Sequence, residues 1–194
     1  MNMEMAIANV CRVDFLPDGG APLHTTTAEE AGCSARLSEG AETPLRSKNR
    51  LLALNATEDL VLGYDLTLRD LTIDPDTFAL MDGGTVSWEG GDFLYQGPQT
   101  GAAIARRPFT CDVWTEEKDG DGATIGYHRF RFPGCKGSPV SFSHKDGGFF
   151  APEYRVKSRP ALGLSPVRID RLRALPAPDA TLEQLLSYQG RREA

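Results

Sequence analysis

Side chains that could act as nucleophiles, bases or metal ligands are few in this chain and widely spaced. It has three histidines, His24, His128 and His144, and four cysteines, Cys11, Cys33, Cys111 and Cys135. Covalent catalysis needs a nucleophile within reach of a base that a third group orients. His128 with Cys111 or Cys135 is the only conceivable cysteine dyad, and Cys111 and His128 fall on two segments that read as the arms of one hairpin. Nothing in the neighbourhood of either thiol lowers its pKa, and no G-x-S-x-G elbow exposes a serine. His24 lies in a polar stretch, while His128 and His144 lie in strand-like ones, where a histidine on a half-exposed sheet is the plainer reading.

Other constellations are equally thin. Asp119 and Asp121 in D-G-D-G suggest a calcium loop but lack its further oxygen ligands and terminal glutamate, so a solvated hairpin turn is expected. The cysteines form no C-x-x-C pair and have no histidine at ligand spacing, so they are read as free thiols and no metal site is expected. Glycine pairs at 19–20, 83–84, 90–91 and 147–148 match neither the P-loop nor the G-x-G-x-x-G pattern. Glu29-Glu30 and Glu116-Glu117 read as solvated charge. No cofactor and no catalytic residue are assigned.

The elements around these residues carry more information. The chain has 194 residues, 40% hydrophobic and 25% charged, with 20 Gly and 13 Pro, which fits one globular domain rich in turns. A net charge of −6 argues against a protein whose main affinity is for phosphate backbones. The amino terminus carries an acid where a signal peptide wants a base, and no stretch approaches the roughly 18–20 apolar residues of a membrane span. Folding in a reducing cytoplasm, away from membranes, is expected.

Residues 9–15 alternate as a strand does. Residues 17–50 are then dominated by Gly, Ala, Thr, Ser, Glu and Pro and read as a long connection, either a mobile loop or an arm ordered on another subunit. From Leu60 to Leu68 a period of two holds, with Leu60, Leu62, Tyr64, Leu66 and Leu68 on the face expected to be buried. Asp74 is an N-cap, Pro75 suits a first turn and Gly83 a left-handed stop, so a short helix is predicted between them. Further strands are predicted at 85–88 and 93–95. Two hairpins follow, 109–116 with 124–132 and 139–144 with 149–157, the second turning at Asp146-Gly147. A last strand at 165–174 precedes a short helix at 181–188. The fold class is mostly β: a single-domain β-sandwich or partly closed β-barrel with one short flanking helix and a long early arm.

Charge is uneven along the chain. Residues 151–194 hold eight Lys/Arg against five Asp/Glu, a balance of +3 that leaves −9 for residues 1–150. Opposite signs at the two ends favour head-to-tail contacts between copies.

The run T-P-L-R-S-K-N-R-L-L-A-L, then L-G-Y-D-L-T-L-R-D-L-T-I-D-P-D-T-F-A-L-M-D-G-G-T-V, then S-P-V-S-F-S-H-K-D-G-G-F-F-A-P-E-Y-R-V-K-S-R-P resembles the major tail (tail tube) proteins of long-tailed bacteriophages and prophages. The likeness of segment order runs from about Val10 to Pro176. It implies a structural virion protein, not an enzyme. Six copies would close into a ring, and stacked rings would form the tail tube through which DNA is delivered. Partners would be the chain itself, the terminator, tape-measure and baseplate or tip proteins, and double-stranded DNA in transient, non-specific passage. Location would be the virion tail, assembled in the host cytoplasm. An acidic chain suits a lumen to which DNA must not stick.

Within that frame the arm at 17–50 is expected to make subunit and ring contacts through Glu29, Glu30, Arg36, Glu39, Glu42, Leu45, Arg46 and Arg50. The alternative is a β-sandwich binding or decoration protein recognising a glycan or host surface, with Trp88, Phe93, Tyr95 and Trp114 as a stacking platform.

Overall fold

Over residues 5–142 and 144–177, which the computed structural model describes, the period-two pattern becomes antiparallel sheet. The strands are β1 (Ala6–Pro17), β2 (Leu23–Thr25), β3 (Ala28–Ser38), β4 (Glu42–Ser47), β5 (Arg50–Ala56), β6 (Leu60–Asp70), β7 (Thr85–Glu89), β8 (Asp92–Gln96), β9 (Phe109–Lys118), β10 (Thr124–Gly137), β11 (Glu153–Ser158) and β12 (Arg168–Leu172), with one helix, α1 (Pro75–Asp82). The main sheet runs β2-β1-β9-β10-β11-β6-β3, with β12 also on β10, while β4-β5 and β7-β8 are separate two-stranded ribbons.

β10 forks the sheet. Its outer edge carries β12 over Tyr127 to Arg131, then β11 over Cys135 to Gly137. Between these stretches lies Pro133, which has no N–H to donate, and Gly134, whose φ of 62° favours glycine. A Cβ at Gly134 would stand 2.7 Å from the Arg159 carbonyl oxygen. Ser158 Oγ donates to Pro133 O at 2.7 Å, and Arg159 N donates to Gly134 O at 3.0 Å. The β11-β6-β3 branch thereby forms a second layer over β1 and β9. Val13, Phe15, Cys111, Val113 and Phe132 of the first layer meet Leu66, Leu68, Tyr154 and Val156 of the second. β1 and β3 do not pair, so the structure is a sandwich and not a closed barrel.

α1 has the predicted caps. Asp74 Oδ2 accepts from Thr77 N at 2.9 Å, and Gly83, at φ 83°, donates its N–H to Ala79 O. Phe78, Leu80 and Met81 are buried, because a helix this short is held by packing rather than by its own propensity. Its seat on β10 is Gly137, where an added Cβ would lie 2.4 Å from Met81 Cα.

The outer face of the first layer is polar yet buried. Register places Arg12 opposite Trp114 and Trp114 opposite Arg129, and both guanidinium groups lie over the indole, at 5.3 and 5.6 Å. Asp14 Oδ2 accepts from Trp114 Nε1 at 2.7 Å and from Arg12 at 3.0 Å. Asp112 holds Arg131 in a two-pronged bond at 2.8 and 2.6 Å, and Asp170 accepts from Arg129 at 2.6 Å. Arg12 also donates to Pro176 O at 2.6 Å, and Leu175 packs on the Trp114 cluster, so residues after β12 help to close this face. Burial pushes the Asp14 carboxyl up, more than its Arg12 and Trp114 bonds pull it down.

Several expectations need correction. Residues 17–50, read as an irregular connection, contain β2, β3 and β4, because their small residues pair with β1, β6 and β5 instead of filling a core. Leu60 and Leu62 are exposed while Leu66 and Leu68 are 2% exposed. The reason is Gly63, at φ 146°, where the β3–β6 register shifts and an added Cβ would meet Ser158 O at 2.0 Å. Past that point the ladder with β11 has ended, and among the described residues nothing buries Leu60 and Leu62. The second hairpin does not form: its turn exists, with Gly148 N donating to Lys145 O at 3.1 Å, but among the described residues its flanks share only a bridge from Ser141 to Glu153. β11 already has β6 and β10 on its two edges, and Phe142, His144 and Phe150 pack on one another instead. The last strand is shorter than expected, Arg168–Leu172, and the helix expected at 181–188 lies outside the described residues.

Replacing Gly137 by Ala should lower stability by about 1–3 kcal/mol in denaturant unfolding, since it forces α1 off its seat. Gly120→Ala, with nothing within 4 Å of the new Cβ, should stay within about 0.5 kcal/mol.

A pH dependence follows from buried Glu117. The bond from Arg171, and then that from His128 at 3.2 Å, hold its carboxyl below the usual range. A folded-state pKa below the unfolded value gives stability that is complete above the ordinary carboxylate range of about 4 and lost as pH falls through the folded value. Asp170 acts in the same sense, because its Arg129 and Arg168 bonds outweigh burial, whereas Asp14 acts in the opposite one. The Tm should fall between pH of about 6 and about 3, and Arg171→Gln should start lower and fall less steeply.

Candidate functional site

The sequence-level dyad does not assemble. Cys111 and His128 do lie on paired strands, but Cys111 is opposite Phe132 and His128 opposite Thr115. Four residues of strand separate them, roughly 13 Å at about 3.3 Å per residue. His128 is instead spent on Glu117, and burial pushes the Cys111 thiol well up and the Cys135 thiol to about 12. Asp119 closes its own turn by accepting from Asp121 N at 3.0 Å and Ala123 N at 2.8 Å. Glu116 bonds Asn9 and Lys118 while Glu117 bonds His128 and Arg171, so the adjacent carboxylates do not act as a pair. Among the described residues no group of three or more His, Cys, Asp and Glu is placed to hold a metal ion. No helix among them is long and apolar enough to cross a membrane.

The stacking platform is also dispersed. Trp114 is fully buried, and the Tyr95 hydroxyl donates to Asp82. Only Trp88 and Phe93, paired at 5.5 Å on β7 and β8, are exposed.

What the fold does bring together is an arm. Beyond Gly63 the β3–β6 pair leaves the core and continues into β4–β5. The joint is made by Gly40 N donating to Asp59 Oδ1 at 2.7 Å and Ala41 N donating to Thr57 Oγ1 at 2.8 Å. Gly40 is required there, since a Cβ would stand 1.8 Å from Thr57 O. Leu45, opposite Ala53, and Leu54, opposite Pro44, are 60% and 50% exposed. Leu51 and Leu52 are exposed to a similar degree, and Leu37, Leu60, Val61 and Leu62 continue the apolar surface to the root of the arm. Successive side chains of a strand point to opposite faces, so this ribbon presents apolar groups on both. An isolated two-stranded ribbon is marginally stable at best in water.

All eight residues expected at a subunit interface are exposed. Arg36, Glu39, Glu42, Leu45, Arg46 and Arg50 lie along the arm from its root to its tip. Glu29 and Glu30 lie at the other end of β3, roughly 20–23 Å from Arg36 at about 3.3 Å per residue, where Glu29 pairs with Arg69 at 3.3 Å. Sequence reasoning missed Leu51, Leu52 and Leu54, although the signal was present: a leucine-rich run directly after R-S-K-N-R, with nothing assigned to cover it.

A second exposed feature is the edge of β3, which among the described residues pairs with β6 on one side only. Between register shifts at Ala28/Glu30 and Arg36/Leu37 it runs straight through Ala31, Gly32, Cys33, Ser34 and Ala35. Among the described residues the outer edge of β1 is likewise open before Val13, since β2 pairs only Val13 to Phe15. Such edges are ready to accept another strand.

No family model matches the chain, and no curated protein matches it. Among solved structures, a chain in the cryo-EM structure of the anti-feeding prophage baseplate, 6-fold symmetrised, superposes with a TM-score of 0.45 and 12% identity, covering 88% of this chain and 97% of that one.

A thiol reagent should separate the cysteines by position. In the native monomer Cys33, exposed on β3, should react fast and half-buried Cys11 slowly, with Cys111 and Cys135 labelled only on unfolding. Rapid native labelling of Cys111 would restore the dyad.

Proposed function

We propose that the chain is a structural subunit that assembles with copies of itself into hexameric rings, stacked to form a phage tail tube for DNA delivery. The observation that carries the assembly reading is the arm, whose leucines are exposed on both faces and have no cover among the described residues. A monomer that kept this surface in water would leave a large apolar patch unsatisfied. The open edge of β3 supports the same reading, because an incoming strand from a neighbour would satisfy its free backbone groups. The specific form, a tube of rings joined to other tail proteins, rests on the resemblance of segment order to tail tube proteins. An acidic chain fits the passage of DNA without retention.

Purified full-length chain should form rings or tubes in negative-stain electron micrographs. A Leu52→Asp/Leu54→Asp variant should keep a monomer Tm within about 2 °C, as expected for exposed positions, and should fail to assemble. A wild-type chain that stays monomeric at every salt and protein concentration tested contradicts the proposal.

A further inference from the structure

The free edge of β3 is straight over seven residues, Glu30 to Arg36, which keep an unbroken register with β6 between two register shifts. Edge strands are commonly blunted by a proline, a charge in mid-strand or a bulge. This run, E-A-G-C-S-A-R, has none of these between its ends. Its two charges stand at the first and last positions and are opposite in sign. Both are exposed, and neither takes part in an ion pair among the described residues. Arg69, across from Glu30 on β6, is held by Glu29, and Arg36 has Gly63 across from it, which offers no side chain.

The open part of β1 is a poor match for this edge. It carries two register shifts with β9, at Ala8/Val10 and Val10/Arg12, and Asn9 there holds φ 52°. Bulges bend a strand and interrupt its ladder. A second β3, by contrast, is straight over the same length and complementary in charge. Antiparallel pairing centred on Cys33, the middle residue of the run, sets Glu30 opposite Arg36 of the second copy, Ala31 opposite Ala35, Gly32 opposite Ser34, and Cys33 opposite Cys33. Opposite charges facing each other across two strands attract, whereas in-register parallel pairing would set Glu30 against Glu30. The side chains between the charges are small, so none holds a neighbouring strand away. Ala31 and Cys33 lie opposite Leu68 and Leu66 of the core, and with Ile7, Val10 and Phe130 they line a cleft of about 180 Å³ between the layers. Ile7 is 44% exposed, so apolar surface is left beside this edge.

We infer that chains outside the tube close the β3 edge on a second copy: two β3 strands pair antiparallel about a two-fold axis at Cys33, and Glu30 and Arg36 of each copy meet the opposite charge of the other. The inference goes beyond the assembly reading, because a two-fold contact uses the same patch on both copies and is closed, so it does not by itself extend a ring or a stack.

Sedimentation equilibrium of the full-length chain, at concentrations below those that give rings or tubes, tests it. The wild type should show a monomer–dimer equilibrium. Glu30→Arg and Arg36→Glu should each raise the dimer Kd by about tenfold or more, since the two-fold axis turns both attractive pairs repulsive at once. An equimolar mixture of these two variants should dimerise to within a few-fold of wild type, because each then meets its opposite. Facing residues of paired strands have Cα atoms about 4.5–5.5 Å apart, inside the range of about 4.4–6.8 Å that a disulfide spans. Diamide, which takes up the two thiol hydrogens, should therefore link wild-type dimers through Cys33, and Cys33→Ser should abolish the link. Thermal melts of dilute samples check the fold, and Arg36→Glu, across from Gly63, keeps the test available if Glu30→Arg, across from Arg69, lowers the Tm. A mixture as dissociated as its components, a dimer that diamide does not link at Cys33, or a strictly monomeric wild type overturns the pair. Rings or tubes from a chain that shows no such pair leave the assembly reading standing, and a pair in a chain that never assembles further does the reverse.

Discussion

The fold depends on β10 having two different neighbours along one edge. A proline without an N–H and a glycine at φ 62° stop the ladder with β12 and begin the ladder with β11. Without that break the strands would extend one sheet whose apolar face had nothing to lie against. With it, β11, β6 and β3 swing over β1 and β9, and the residues at alternate positions of five strands meet in one core. α1 then closes the end of the sandwich where β10 offers Gly137 as a flat seat.

The two layers are unequal in length, and the proposed function grows from that inequality. β11 pairs β6 only from Tyr64 to Arg69, and the β3–β6 pair runs on past Gly63, beyond the core that buries Leu66 and Leu68. The outer face of the first layer is handled differently. There Arg12, Asp14, Asp112, Trp114, Arg129, Arg131 and Asp170 satisfy one another across four strands and are closed over in part by residues after β12. One surplus of surface is thus resolved within the chain by charge and hydrogen bonding. The other, on the arm, is apolar and stays exposed among the described residues.

Local signals were read well where the chain itself settles the outcome. The Asp74 cap, Pro75 and the Gly83 stop delimit α1 as expected, and the hairpin of β9 and β10 follows directly from its alternation and turn. Signals failed where a distant partner decides. Residues 17–50 look irregular because Ala, Gly, Ser and Thr carry little pattern, yet β6 gives them a ladder. Leu60 and Leu62 share the alternation of Leu66 and Leu68, and what separates them is the core, which takes in Leu66 and Leu68 but not Leu60 and Leu62. The Asp146-Gly147 turn is present without its hairpin, because both edges of β11 were taken by strands far away in sequence. Six of the eight residues expected at an interface lie along the arm, though no contact tests that role. The leucines between them were not legible, since apolar alternation by itself says that a face is covered and not which molecule covers it.

The central claim is that the arm and the β3 edge are finished by copies of the chain, and amide hydrogen exchange compared between monomeric and concentrated samples tests it most directly. The account predicts fast exchange across residues 28–62 in the monomer and strong protection of the same amides on assembly, while β9 and β10, already paired on both sides for much of their length, exchange slowly in both states. Equal exchange across residues 28–62 in the two states would contradict it.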